Sequence, residues 1–172
     1  MKTPLFIILI TLCFHAKIQA QQLDPGIKKE LEKVVADFGA SIIEKDSTKF
    51  YRLFHDAPVV WIGVDKEKSH QHFLSKNKNL KNNFFKDSPR GFFRGIMEEQ
   101  EPQEEKFYNV KIEGDERIAA ITFDYSYWRK GKKQNWGKES WGLIRANGSW
   151  KITSVLFSVE MENIAAEPAP EK

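Results

Sequence analysis

Residues 134–153, QNWGKESWGLIRANGSWKIT, hold three tryptophans and a single acid, Glu139. A carboxyl among apolar neighbours on a strand has three roles open to it. It can accept hydrogen bonds from a nearby phenol, amine or backbone N–H, as buried polar groups generally do. It can orient a bound molecule. It can also move a proton, because burial raises a carboxyl pKa, often by several units, towards the range that general acid–base chemistry at neutral pH requires. In that last role Glu139 is a general base for a proton beside a carbonyl, with Tyr125 or Tyr108 hydrogen-bonding the developing oxyanion. A β-bulge nearby would turn the same carboxyl outward.

Other residue groupings are weaker. His70 and His72 are spaced i, i+2, which puts both imidazoles on one face only if the segment is a strand, and no third ligand is spaced to complete a metal site with them or with His55. They are read as surface histidines, and no metal or cofactor is expected. Residues 76–94 interleave Lys76, Lys78, Lys81, Lys86, Arg90 and Arg94 with Phe84, Phe85, Phe92 and Phe93. Such interleaving can track a nucleic-acid backbone or lie on anionic lipid. It equally describes a charged surface over packed phenylalanines, or a lid over a cavity mouth. Asn147-Gly148-Ser149 fits a glycosylation sequon and, more simply, a hairpin turn. The chain has no Gly-rich phosphate loop, nucleophile elbow or paired metal motif.

The partners of Glu139 follow from hairpin register, since register decides which side chains share a face. A turn centred on Asn147-Gly148 sets Leu143 against Ile152, Trp141 against Ser154 and Glu139 against Leu156. A three-residue loop over residues 130–132 sets Phe123 against Glu139 and Ile121 against Trp141. A turn at Gly114-Asp115 sets Tyr108 against Ile121 and Val110 against Ala119. One face then collects Tyr108, Tyr125, Tyr127, Trp141, Ile121, Phe123, Glu139, Ser154 and Ser158. So many rings require a cover. The candidate ligand-binding residues are therefore Glu139, Trp141, Ser154, Ser158, Tyr108, Tyr125 and Tyr127. Ile118, Ile144, Val155, Phe157 and Val159 are expected on the outer face.

The elements that must hold this face in place are legible in outline. Ile27, Leu31, Val34, Val35, Phe38 and Ile42 form one helical stripe, with Asp24 as N-cap and Pro25 at the first position. Residues 46–54 read as a second short helix capped by Asp46, and residues 59–64 (VVWIGV) as a strand. Residues 70–85 read as a helix, residues 91–97 (GFFRGIM) as a short strand and residues 98–105 (EEQEPQEE) as an acidic loop. From Lys106 the period becomes two, and four strands follow (FYNVKI, RIAAITFDYSYW, NWGKESWGLIR and WKITSVLFSVE).

The N-terminus, MKTPLFIILITLCFHAKIQA, has the layout of a secretory signal, with cleavage expected after Ala20. Its apolar run is too short to span a bilayer comfortably, so no stable membrane insertion is expected after cleavage. Removal takes away Lys2, Lys17 and the only cysteine, Cys13, and lowers the formal net charge from +3 to +1. A near-neutral, cysteine-free domain is neither a general polyanion binder nor a disulfide-stapled one. Nucleic acid is therefore not an expected partner. Residues 21–161 form one domain, and residues 162–172 (ENIAAEPAPEK) are expected to be a flexible tail.

Helices, one strand, a charged link and then four long strands ending in WKI is an order with a known counterpart. SIIEKDSTKFYRLF followed by VVWIGV, and AAITFDYSYW followed by GKESWGLIRANGSWKITSVLFS, resemble the nuclear transport factor 2-like superfamily, with its SnoaL-like cyclases, isomerases and dehydratases. The likeness spans residues 27–160. It implies an α+β fold in which two or three N-terminal helices pack on a strongly curved antiparallel sheet, a cone-shaped, cystatin-like roll. It further implies a homodimer formed through the outer sheet face. Family enzymes set an Asp and a His, or a Tyr and an Asp, in the cone; here Asp124 has the wrong parity and the histidines match no such motif. The function read from the chain is therefore an exported domain binding a small apolar or aromatic molecule. The alternatives are an isomerase-, cyclase- or dehydratase-type enzyme using Glu139, and a protein-interaction module using the outer face.

Overall fold

A computed structural model describes residues 23–169. The expected signal segment and its cleavage point lie outside the described residues. The chain runs α1 (Pro25–Glu44), α2 (Ser47–Tyr51), β1 (Val60–Asp65), α3 (Glu67–Lys76), β2 (Phe84–Lys86), α4 (Pro89–Glu98), β3 (Gln103–Gly114), β4 (Ile118–Arg129), β5 (Lys132–Ala146) and β6 (Ser149–Met161). The strands form one six-stranded sheet in the order β2-β1-β6-β5-β4-β3. Its pairings are antiparallel except β1 with β6, which is parallel.

α1 starts where its chemistry dictates. Asp24 Oδ1 accepts from the backbone N–H groups of Gly26 and Ile27, at 2.8 and 3.1 Å, and Pro25 occupies the first turn. The apolar stripe Leu31, Val34, Val35, Phe38 and Ile42 is buried against the sheet. The Phe38 ring lies 5.1 Å from Phe50 of α2 and 4.7 Å from Trp141 of β5. Truncating a ring so placed costs about 3–5 kcal/mol.

The linking region differs from the sequence reading. Residues 91–97 lie in α4 and not in a strand: Ser88 Oγ caps Gly91 N–H at 3.0 Å, Pro89 takes the first turn, and Phe93 and Ile96 are buried on one side. Residues 70–85 are not one helix. α3 stops at Lys76, and Phe84 and Phe85 form the edge strand β2. Residues 103–105 belong to β3 and not to an acidic loop.

The hairpins explain the register. Asn147 (φ 50°) and Gly148 (φ 79°) form the expected tight turn between β5 and β6. The β4–β5 loop has two residues, Lys130 (φ 51°) and Gly131 (φ 69°), not three. A shift between Tyr127 and Trp128 takes up the difference, so Phe123 still pairs with Glu139 and Ile121 with Trp141. Two other pairings are corrected. A shift between Gly142 and Leu143 sets Trp141 against Val155 and Glu139 against Phe157. The β3–β4 turn is longer than a Gly114-Asp115 pair: Asp115 Oδ1 accepts from the N–H groups of Arg117 and Ile118, at 2.7 and 2.9 Å. With a bulge between Tyr108 and Lys111, this pairs Tyr108 with Asp124 and Gly114 with Ala119.

These slips exchange faces on β6. Val155 and Val159 are buried, and Phe157 faces inward with them, while Leu156 is 45% exposed. The expectation of Val155, Phe157 and Val159 as outer-face residues is overturned by one bulge. Ile118, 59% exposed, is outside as expected. Residues 162–169 turn back beside β5: Trp136 Nε1 donates to Ala165 O at 2.9 Å, and Lys133 pairs with Glu167 at 2.5 Å. Among the described residues no helix is long and apolar enough to cross a membrane.

Candidate functional site

Between the inner sheet face and the helices lies a cavity of about 750 Å³. Its walls include Phe38 of α1, Trp61 of β1, Phe92 of α4 and Phe157 of β6. Glu139 of β5 and Glu105 of β3 line it too, and they are only 7% and 8% exposed.

β4 runs between the two acids. Phe123 is the strand partner of Glu139, Tyr127 is the partner of Glu105, and Tyr125 sits between these two positions on the same face. Glu139 Oε2 accepts from Trp141 Nε1 at 2.7 Å. Burial pushes its pKa up to about 8, with the Trp141 hydrogen bond pulling the other way. Burial raises the Glu105 pKa well above the usual carboxylate range, and the negative charge of Glu139 adds to it. At pH 7 Glu139 is therefore held mainly as the neutral acid, burial shifts Glu105 in the same direction, and either can give up a proton once a cation or a reacting group favours it.

The tyrosines that face the cavity have committed hydroxyls. Tyr125 donates to the backbone carbonyl of Ser158 at 3.1 Å. The β5–β6 ladder opens there: Lys138 N–H donates to Ser158 Oγ at 3.1 Å, and a Cβ on residue 137 would meet Ser158 O at 1.9 Å. Only glycine leaves that carbonyl its position. Burial raises the Tyr125 pKa well above its usual value, and Glu139 and then Glu105 add to the effect, so the phenol stays neutral. Tyr127 donates to Gln103 Oε1, whose amide in turn donates to Ile96 O at 2.9 Å. Burial and then Glu105 push the Tyr127 pKa up to about 12.

At the far side Asp65 of β1 lines the cavity, with His70 Nδ1 at 4.0 Å. Burial raises the Asp65 pKa, and the charge of a protonated His70 opposes that rise. His70 Nδ1 itself is buried without a hydrogen-bond partner among the described residues. The exposed edge holds Glu99 and Arg129, paired at 2.5 Å. Among the described residues no three His, Cys, Asp or Glu side chains gather as a metal-holding group.

Of the residues expected at the site, Glu139, Tyr125 and Tyr127 line the cavity. Trp141 is fully buried and acts on the cavity through its hydrogen bond to Glu139. Three positions are corrected. Tyr108 is on the outer face, bonded to Ser126 Oγ at 2.7 Å. Ser154 and Ser158 are turned outward by the Gly142–Leu143 bulge, with Ser154 Oγ accepting from Gly142 N–H at 3.2 Å. Sequence reasoning missed Glu105, Gln103 and Asp65. The available signal for the first two was their period-two spacing with Phe107, continuing the β3 strand backwards.

No protein-family model matches the sequence, and no curated protein matches it either. Solved structures do. An NTF2-like protein of unknown function from Pseudomonas putida is 11% identical at a TM-score of 0.58, covering 88% of this chain and 100% of its own. A provisionally assigned scytalone dehydratase from Novosphingobium aromaticivorans is 12% identical at 0.58, covering 79% and 85%. A cystatin-like protein of unknown function from Nostoc punctiforme is 14% identical at 0.57, covering 81% and 95%. The fold is that of the nuclear transport factor 2-like superfamily. The helices and the inner sheet face border the cavity, and its two buried acids come from β3 and β5.

Proposed function

We propose that this chain is an exported protein that binds a small apolar or aromatic molecule in its cone. The carrying observation is the cavity of about 750 Å³, walled by rings and converging on Glu139 and Glu105. Apolar walls with a few placed polar groups are the usual composition of a ligand site. Rings supply contact area, and the acids fix orientation. Thermal-shift screening of the purified mature protein against aromatic compounds tests the reading: hits should raise Tm by several degrees at saturating concentration. A flat screen, together with a crystal structure in which side chains fill the cavity, would overturn it.

A second reading, proton-transfer catalysis, is favoured by one observation: a second buried carboxyl shares the cavity with Glu139. With its pKa near 8, Glu139 donates a proton at neutral pH and accepts one only above that value. The Tyr125 hydroxyl is already engaged and Tyr108 is on the other face, so the neutral carboxyl of the pair is the donor for a developing oxyanion. Glu139→Gln should then lower turnover by about 10²-fold or more; a variant with full turnover would dismiss the catalytic role.

Two wider features belong to the proposal. Val60, Val64, Ile118 and Leu156 are 38–59% exposed, and an outer face of this kind suits a homodimer or a protein partner. Export is supported by the N-terminal charged-apolar-small pattern.

A further inference from the structure

We infer that the cavity selects an organic cation, a protonated amine on an apolar or aromatic body, seated with its ammonium between Glu105 and Glu139. This rests on reading the cavity as a ligand site and adds the charge of the occupant. The first ground is the balance of charge on the walls. Asp65, Asp87, Glu99, Glu105 and Glu139 line the cavity against one cation, Arg129, which is already paired with Glu99 at 2.5 Å. Among the described residues no lysine or histidine lines it.

The second ground is Glu105 itself. It is 8% exposed and borders the cavity. Burial and the neighbouring Glu139 charge are the influences on its carboxyl, and among the described residues no hydrogen bond or cation offsets them. Buried acids kept for structure have partners. One that opens on a cavity beside a second acid has its missing partner in the cavity. The third ground is what remains on offer to other ligand classes. An anion finds no unpaired cation among the described lining residues. A neutral carbonyl finds both cavity tyrosine hydroxyls engaged, Tyr125 with Ser158 O and Tyr127 with Gln103, and is left with the amides of Asn82 and Asn135 and a protonated carboxyl as donors. A cation, by contrast, finds carboxyls and the faces of Trp61 and Phe157, and ring faces attract ammonium groups.

The proton balance follows. At pH 7 Glu139, with its pKa near 8, holds its proton in the empty cavity. Seating R–NH3+ makes one carboxyl ionise, so one proton leaves to solvent for each amine bound. Binding should therefore tighten as pH rises towards 8.5, and weaken again only as the free amine deprotonates near its own pKa of about 10. The groups facing the pair are Tyr125 and Tyr127 from β4, Asp65 of β1 with His70 behind it, Asp87, and the Glu99–Arg129 pair at the edge.

Isothermal calorimetry with tryptamine, tryptophol and indole-3-acetate separates the classes on one ring system. Runs at pH 6, 7 and 8.5, in buffers of different ionisation enthalpy, count the protons. The expected result is tryptamine bound about tenfold or more tighter than tryptophol, no binding of indole-3-acetate, and about one proton released at pH 7. Glu105→Gln and Glu139→Gln should each weaken tryptamine about tenfold, and weaken tryptophol by clearly less. Equal binding of tryptamine and tryptophol would overturn the cation inference and leave the ligand-site reading standing. Tryptamine binding untouched in both glutamine variants would remove the seat. No binding by any of the three would count against both readings.

Discussion

At the scale of the residue, Glu139 determines how stability depends on pH. Its folded pKa is about 8 and its ordinary value is 4.5. Between those values the folded chain holds a proton that the unfolded chain has lost. Stability is therefore complete below about pH 4.5 and falls as pH rises through the window to 8, by on the order of 5 kcal/mol. Glu105 is shifted in the same direction and adds to the decline. Urea denaturation at pH 5 and pH 8.5 should show the protein less stable at the higher pH. Glu139→Gln keeps the shape and the acceptor for Trp141, so it should flatten the profile and raise Tm at pH 8.5. A wild-type profile rising with pH across that window would contradict the burial of these acids. Trp141→Phe removes the one hydrogen bond that favours the ionised form, so it should move the Glu139 titration upward.

At the scale of the element, β5 carries the site, and its irregularities decide what the site contains. Gly137 lies where the ladder opens for the Ser158 carbonyl. Gly137→Ala should cost about 2–4 kcal/mol in chemical denaturation; a neutral result would mean the opening closes easily. Asn147, at φ 50°, should tolerate Gly well and Val poorly, with Val costing about 1–3 kcal/mol. The strands, the Asn-Gly turn and the inward placing of Glu139 were legible because period-two patterning and turn chemistry are local signals. The outward turn of Ser154 and Ser158 was not, because it depends on a bulge set when β6 pairs with both β5 and β1. The β4–β5 register was right although the loop is one residue shorter than expected, since a bulge took up the residue. Glu105 was hidden for another reason: polar side chains at inward positions carry no hydrophobic alternation, and a run of acids next to a proline reads as a loop. α4 was misread because Gly91 and Gly95 weaken a helical pattern that its Ser88 cap and packing complete.

At the scale of the molecule, the sheet has two faces with different work. The inner one lines the cavity; the outer one exposes Ile118 and Leu156. Sedimentation of the mature chain should give a dimer, and Leu156→Glu a folded monomer; a wild-type monomer at micromolar concentration would leave the outer face without that role. Mass spectrometry of the protein expressed with its N-terminal segment should place its first residue at Gln21, and a retained leader would contradict the export reading. The central claim is that the helices and sheet hold a pocket, walled by rings, around a buried acid. The most direct measurement is a carbon-13 NMR titration of the Glu139 side-chain carboxyl in the ligand-free protein, assigned with Glu139→Gln. A midpoint near 8 is the expected result; a midpoint between about 4 and 5, the range of a solvated glutamate, would contradict the account.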